Sequence, residues 1–517
     1  MRPRWAACRT ACGGALLAWA GGFALLLALL PFDITIYDEG SILTGAENVL
    51  AGKLPTLDFW TIYPAGAYVW VAGVLALFDH QLIAVRVVGA ALLALGPALC
   101  FGLVRRRWDA ATAAVAAAAV ALWIAGTHPN FVYPPPLVVL LAVPVVVAAG
   151  DRPRGLAGMA LLGAASGGLA TLRLDFAFFA WIATALAIGV AGAGRVGARL
   201  WRVAAFGAGA AAVLLAAALI YARRGGLAAL AVLVQRLLLF PAGPFHRARD
   251  LPLPVPFAAM AAGREPVAPG LVNEELVLVL FYAVAAGLLL TLGWLLAGMA
   301  RRRRVAPLKL ALLLFAVLSI IPFLGRSNYV QGWPFATLGA IVLLAVAAQR
   351  WMLLTLAVAL IAVGGINVVR AANDDYRAPT AALNAPRAHG IRLTQRHIYY
   401  NDVLAWATRA TTLYSGPDGH QHVNANDTML YFLSGHQPIG GYYEAHPLIT
   451  DSAAVQTSIL DAFRRTPPDT VITVRQQREE PNQSAVDSGV TLLDDALAQA
   501  CSERMRSHEY RILTCRW

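Results

Sequence analysis

Residues 83–107 read Ile83-Ala-Val-Arg86-Val-Val-Gly-Ala-Ala-Leu-Leu-Ala-Leu-Gly-Pro-Ala-Leu-Cys100-Phe-Gly-Leu-Val-Arg105-Arg106-Arg107. The apolar run has the length of about 20 residues that a helix needs to cross bilayer hydrocarbon. The three arginines that close it are the charge that marks a cytoplasmic span end. Working outward, the same alternation recurs: Arg152 with Arg154, Arg195 with Arg199 and Arg202, Arg301 to Arg304, and Arg350 each lie beside apolar segments. All fall on one side if about eleven spans run over 13–31, 83–104, 110–127, 132–149, 156–173, 176–193, 203–221, 274–299, 306–323, 333–348 and 351–369.

Composition agrees. The chain of 517 residues is 59% hydrophobic and 14% charged, with a mean hydropathy of +0.62, whereas a soluble protein carries roughly 25% charged residues. The surplus apolar surface calls for lipid, so the fold class is a polytopic α-helical membrane protein. The net charge of +12 then reports orientation in the bilayer, which excludes nucleic acid as the partner. The head with Arg2, Arg4 and Arg9 resembles a signal peptide. We read it as an uncleaved anchor, because Leu29-Leu30-Pro31-Phe32 before Asp33 is a poor cleavage site.

This layout puts the N-terminus in the cytoplasm of a plasma (inner) membrane protein and four segments outside: 32–82, 222–273, 325–331 and the tail from Arg370. Residues 68–78 are apolar but too short to cross, and are expected along the outer interface, with Tyr63, Tyr68 and Trp70 at headgroup depth. The chain thus divides into a transmembrane part, 1–369, and an extracytoplasmic domain, 370–517. The tail is mixed polar sequence with strand-like runs at 470–474 and 510–514 and a helical stretch at 455–463, which suits one small α/β domain. Of the five cysteines, Cys8, Cys12 and Cys100 lie in the head and a span. Cys501 and Cys515 share the tail, where a bridge closing about 15 residues would contribute roughly 3 kcal/mol.

The segment between the first two spans is the richest in chemistry: Tyr37-Asp38-Glu39-Gly40, Glu47-Asn48-Val49-Leu50-Ala51-Gly52-Lys53, Asp58-Phe59 and Tyr63-Pro64-Ala65-Gly66. Adjacent carboxylates beside a membrane sit in a lowered dielectric, where one can be held as a base while its neighbour or a metal adjusts its pKa. The plainer use of Asp38 is to cap a helix over 39–50, with Glu39 favouring the positive end of its dipole.

The order of these motifs, followed by Ala84-Val85-Arg86 opening a span, resembles the first outer loop of the C-type-fold glycosyltransferases, which use polyprenyl-phosphate sugars. That family includes protein O-mannosyltransferases and the lipid A aminoarabinose transferase. The resemblance covers about 60 residues, and it agrees with the span layout. It implies an inverting transfer from a polyprenyl-phosphate-linked sugar donor to the hydroxyl of an extracytoplasmic glycan, lipid or protein acceptor. Asp38 would take the acceptor proton. Glu39 would orient the acceptor, assist Asp38, or join Asp38 around a divalent metal ion if one is used; no other cofactor is implied.

The leaving phosphate needs a cation, and an arginine fork meets phosphate oxygens well. Arg326 in Gly325-Arg326-Ser327-Asn328-Tyr329 and Arg86 are the candidates, and the Arg-x-x-Tyr segment is similar to a phosphate-proximal stretch of the family, so Tyr329 joins them. Either arginine would otherwise snorkel to headgroups. Asp58 and Tyr63 are further substrate-binding candidates. Arg173 and Asp175 stand between two spans, as site residues or as a pair that stabilises the hairpin. Many relatives carry an Asp before the fourth span where this chain reads Tyr133-Pro134-Pro135-Pro136. Glu39, Asp58 or Asp175 would therefore supply a second carboxylate if one is needed. The Pro-rich loop 222–273 suits a lid or a disordered loop, and His420, His422, His436 and His446 are spaced unlike a zinc site and read as polar surface.

Two other classes fit a polytopic chain. A transporter or lipid flippase would show charged or broken spans near the midplane, whereas here ionisable groups collect in outer loops. A non-catalytic scaffold that retains the fold would not require the Asp38-Glu39 pair.

Overall fold

The computed structural model describes residues 2–127, 131–132, 139–150, 154–236, 272–325, 329–377, 379–395, 397–422, 426–446, 449–475 and 487–517. Among them, six helices are long and apolar enough to cross a membrane: Leu82–Val104, Leu174–Ala191, Val196–Val234, Leu276–Ala300, Pro307–Leu324 and Arg350–Asn373. Shorter apolar helices cover Cys12–Leu27, Ala110–Gly126, Val139–Ala148, Leu156–Ala170 and Gly332–Val346, the remaining segments of the expected layout, and Gly66–Leu77, the segment expected at the interface.

Lipid is the natural solvent of these helices. The most apolar 18-residue stretch of Val196–Val234 has a mean hydropathy of 2.4, yet only 17% of it is buried. Leu200, Trp201, Leu215, Leu219 and Ile220 project from it into the surroundings, as hydrocarbon allows and water does not. Leu82–Val104 is two helices, Leu82–Leu93 and Leu95–Val104. Pro97 lacks an N–H and its ring crowds the carbonyl four residues earlier, at Leu93, where the first helix ends.

Two expectations change. The segment 222–273 is not a loop from its start, because the helix continues to Val234 across a kink at Gly225 and Gly226, where Gly226 takes φ +62°; most of the remainder lies outside the described residues. The last long helix, Arg350–Tyr376, runs past residue 369 before β1 begins at Thr380.

The C-terminal part is mixed α/β. β1 (Thr380–Ala382) and β2 (Arg392–Thr394) form an antiparallel pair. β3 (Leu413–Pro417), β4 (Thr470–Val474), β5 (Cys501–Ser507) and β6 (Tyr510–Cys515) form one sheet in the order β3-β4-β6-β5, with β3 and β4 parallel and the other pairs antiparallel. Ala453–Arg465 is helical, as its sequence indicates. Cys501 and Cys515 face each other across β5 and β6 and are joined by a disulfide.

This part is not a separate body hung on the membrane helices. Ile42, Leu43, Tyr68, Val71 and Val85 share one hydrophobic core with Leu393, Leu404, Met429, Phe432, Tyr443 and Ile512. Backbone bonds reinforce the junction: Asp33 N–H donates to the Arg392 carbonyl and Arg392 N–H to the Pro31 carbonyl. The segment 32–82 therefore belongs as much to the C-terminal core as to the membrane bundle.

Candidate active site

Asp38–Leu50 forms a helix preceded by Tyr37, which makes no side-chain cap. Asp38 is therefore the first helical residue rather than the cap that its neighbours suggest, and it and Glu39 occupy the first turn, where the helix dipole favours negative charge. The C-terminal part fixes this helix start. Met429 N–H donates to the Ile36 carbonyl, the Thr428 hydroxyl to the carbonyls of Ile36 and Tyr37, and the Tyr443 hydroxyl to the Ser41 carbonyl. The approach is close enough that a Cβ on Gly40 would lie 2.4 Å from the Met429 nitrogen.

Glu39 is 2% exposed. Its Oε1 accepts from Arg86 Nε at 2.7 Å and its Oε2 from Arg86 Nη2 at 2.6 Å. Arg86 donates its other N–H groups to the carbonyls of Leu30, Phe32 and Asp33. A guanidinium has five N–H donors, and all are engaged here. This corrects the expectation that Arg86 faces the lipid phosphate: no donor is left for one. Both Glu39 oxygens are held by Arg86, and among the described residues no three His, Cys, Asp or Glu side chains gather as a metal site. The present side chains do not fit a divalent ion held by Asp38 and Glu39 together.

The other expected residues separate into two groups. Asp58 Oδ2 accepts from the Leu54 N–H at 2.7 Å and meets Arg224 at 3.4 Å, so it closes the 54–58 turn against the helix Val196–Val234. Tyr63, Arg173 and Asp175 come together. Arg173 bonds Asp175 through Nε and Nη2 at 2.9 and 3.1 Å and lies over the rings of Tyr63 and Phe176. Residues two apart do not meet on a helix face, but Arg173 is extended (φ −153°, ψ 99°) just before the helix begins, which lets its side chain return to Asp175. Arg326 lies outside the described residues, as do the side chain of Tyr329 and the stretch 133–136.

One residue at this site was not foreseen. Glu444 is 1% exposed, and its Oε1 accepts from the Tyr37 hydroxyl at 2.9 Å. Its Oε2 is buried with no hydrogen-bond partner among the described residues. Burial pushes its carboxyl up to about 8, against the lowering effect of the Tyr37 bond, and the nearby Asp38 charge adds to the rise. The only local sign was an acid between aromatics, Tyr442-Tyr443-Glu444-Ala445-His446. Two tail histidines are likewise buried rather than surface residues. His420 is held between Asp494 Oδ1 at 2.6 Å and the Tyr414 hydroxyl at 2.9 Å, and His446 packs on Trp60.

No family model and no curated protein sequence matches the chain. Solved structures do. ArnT from Cupriavidus metallidurans in the apo state is similar over 98% of each chain, with 13% identity and a TM-score of 0.52. The same protein bound to undecaprenyl phosphate is similar over 99% of this chain and 98% of that one, with 13% identity and a TM-score of 0.49. The apo oligosaccharyltransferase of Archaeoglobus fulgidus matches 89% of this chain and 69% of its own, with 12% identity and a TM-score of 0.47. Over nearly its whole length, this chain has an ArnT-like fold.

Proposed function

We propose that the protein is an inverting glycosyltransferase that moves a sugar from a polyprenyl-phosphate-linked donor to an extracytoplasmic acceptor hydroxyl, with Asp38 as the general base. The observation that carries this reading is the placement of Asp38. It stands at the N-terminal end of a helix whose next residue is locked by Arg86 and whose start is gripped by the C-terminal part. A base held on rigid supports is what proton transfer in a transition state requires. The ArnT-like fold supports the same class, and undecaprenyl phosphate is a ligand of ArnT.

In the reaction, the acceptor O–H proton passes to Asp38 while the oxygen forms a bond to the anomeric carbon. The bond from that carbon to the phosphate oxygen breaks, and the lipid phosphate leaves with the electron pair. Glu39 and Arg86 hold the helix start in place. Arg326 and Tyr329 remain the candidates for the leaving phosphate. The arginine clusters support an orientation with the N-terminus in the cytoplasm and the C-terminal part outside the plasma membrane.

The test is transfer of radiolabelled sugar from mannosyl, glucosyl and arabinosyl undecaprenyl phosphates to an envelope extract, comparing wild type with Asp38→Asn at matched folded protein. A loss of about a hundredfold or more is expected for removal of a general base. Equal activity of the variant would show that the base lies elsewhere, and a wild type silent with all donors would count against the enzyme.

A further inference from the structure

The C-terminal part carries a cleft of about 340 Å³, the size of a small-molecule site. It opens where the end of the Ala453–Arg465 helix meets the start of β3 and the segment 436–440. Its floor is apolar and buried: Leu413, Pro438, Ile439 and Ala462. Its rim is exposed and polar: Gln437, Arg465 and Thr466.

The rim offers both halves of a hydrogen bond. Gln437 Oε1 accepts from Lys53 Nζ at 3.3 Å, which leaves the amide N–H groups to donate. Arg464 is paired with Asp461 at 2.6 Å, whereas Arg465 has no acidic partner among the described residues. The last carbonyls of the Ala453–Arg465 helix lack intrahelical donors and accept. The negative end of that helix dipole also offsets the Arg465 charge, so the cleft does not single out an anion. No carboxylate lines it, which disfavours an amine or a metal ion. A ligand with an apolar face and hydroxyls at its edge, each able to donate and accept, matches floor and rim together.

The far side of the same segment belongs to the candidate active site. Gly441 accepts from the Trp60 N–H at 2.7 Å, and the Tyr443 hydroxyl bonds the Ser41 carbonyl in the Asp38–Leu50 helix. Three residues separate Gly440 in the cleft wall from Tyr443, a chain reach of at most about 11 Å. We propose that the cleft binds a saccharide unit of the acceptor set back from the reacting hydroxyl, so that the acceptor is a glycan of several units. This rests on the reading of the protein as a transferase.

The experiment has a binding arm and a transfer arm, both on the full chain in lipid nanodiscs. The probes for binding are mannotetraose, cellotetraose and chitotetraose at millimolar concentration, followed by saturation-transfer NMR. Wild type should bind at least one of them. Arg465→Ala removes a donor and Thr466→Trp fills the cleft from its rim, and each should weaken binding about tenfold. Both side chains are exposed, so the core stays intact, and unfolding temperatures matched to wild type check this. Arg464→Ala, outside the cleft, should bind as wild type does. A wild type that binds none of the three, or a Thr466→Trp protein that binds equally well, overturns the inference.

In transfer from the three undecaprenyl-phosphate sugars, Thr466→Trp should need about tenfold more envelope extract to reach half its maximal rate, with that maximum unchanged. An unchanged requirement in Thr466→Trp beside an inactive Asp38→Asn overturns this inference alone and leaves the base in place. Cleft-dependent binding by a wild type that is silent with all donors keeps the saccharide site and overturns the transferase reading.

Discussion

Arg86 holds Glu39 through two hydrogen bonds of 2.7 and 2.6 Å, and the two side chains are 5% and 2% exposed. The pair ties the first turn of the Asp38–Leu50 helix to the span that opens at Leu82, while the other Arg86 donors collect the chain that leaves the first span. Removing one partner leaves a buried charge uncompensated. Arg86→Ala should therefore cost about 3–5 kcal/mol, seen as a lower unfolding temperature of the detergent-solubilised protein. The double replacement Arg86→Met with Glu39→Leu should recover much of that loss. An Arg86→Ala protein as stable as wild type would show that the clamp does not hold the helix start.

Gly40 is where the C-terminal part comes closest to this helix. A Cβ there would meet the Met429 nitrogen at 2.4 Å and the Thr428 hydroxyl at 2.7 Å. Gly40→Ala should cost about 1–3 kcal/mol through overpacking and expose the junction to protease. Gly73, in the Gly66–Leu77 helix with no atom within 4 Å of an added Cβ, is the control. Gly73→Ala should stabilise by about 1 kcal/mol. Equal proteolysis of the two variants would mean that the close approach is not limiting.

Stability should fall as the solution becomes alkaline. Burial raises Glu444 from an ordinary value of 4.5 to about 8, and burial raises Asp427 from 3.8 to about 7, against lowering hydrogen bonds from Tyr400, Tyr510, Leu430 and Met429. A raised acid binds its proton more tightly when folded. Its contribution is complete below the unfolded value and is lost as pH climbs through the folded one. The unfolding temperature should decline between about pH 4.5 and pH 8 on this account, and Asp427→Asn should flatten the lower part of that window. Asp33 and Asp494 are lowered by their histidine partners against the opposing effect of burial, so they contribute the opposite slope below about pH 4. A wild-type profile that rises from pH 5 to 8 would contradict the assignment.

The disulfide between Cys501 and Cys515 joins residues 14 apart that face each other across β5 and β6. Reduction should lower stability by about 3 kcal/mol for a loop of this size. Replacing both cysteines with serine should reproduce the loss and abolish any further effect of reductant. A reductant effect that persists in the double variant would place it elsewhere.

The apolar segments and their helices, the strands at 470–474 and 510–514, and the helix over 39–50 were legible in the sequence, because each depends on a local property: hydropathy over a span's length, alternation, or a short polar start. The local reading failed where backbone shape intervened. Extended Arg173 reaches Asp175 although their spacing argued otherwise, and Asp38 enters the helix rather than capping it. The partner of Glu39 and the presence of Glu444 were beyond the sequence for a different reason. Arg86 is 47 residues from Glu39, and Tyr37 is 407 residues from Glu444. No spacing rule connects such positions. They meet because the C-terminal core forms around the segment between the first two spans, burying Glu444 where Tyr37 can hold one of its oxygens, so the sequence by itself determined the membrane helices and the acidic loop, and packing alone decided which acids share the site.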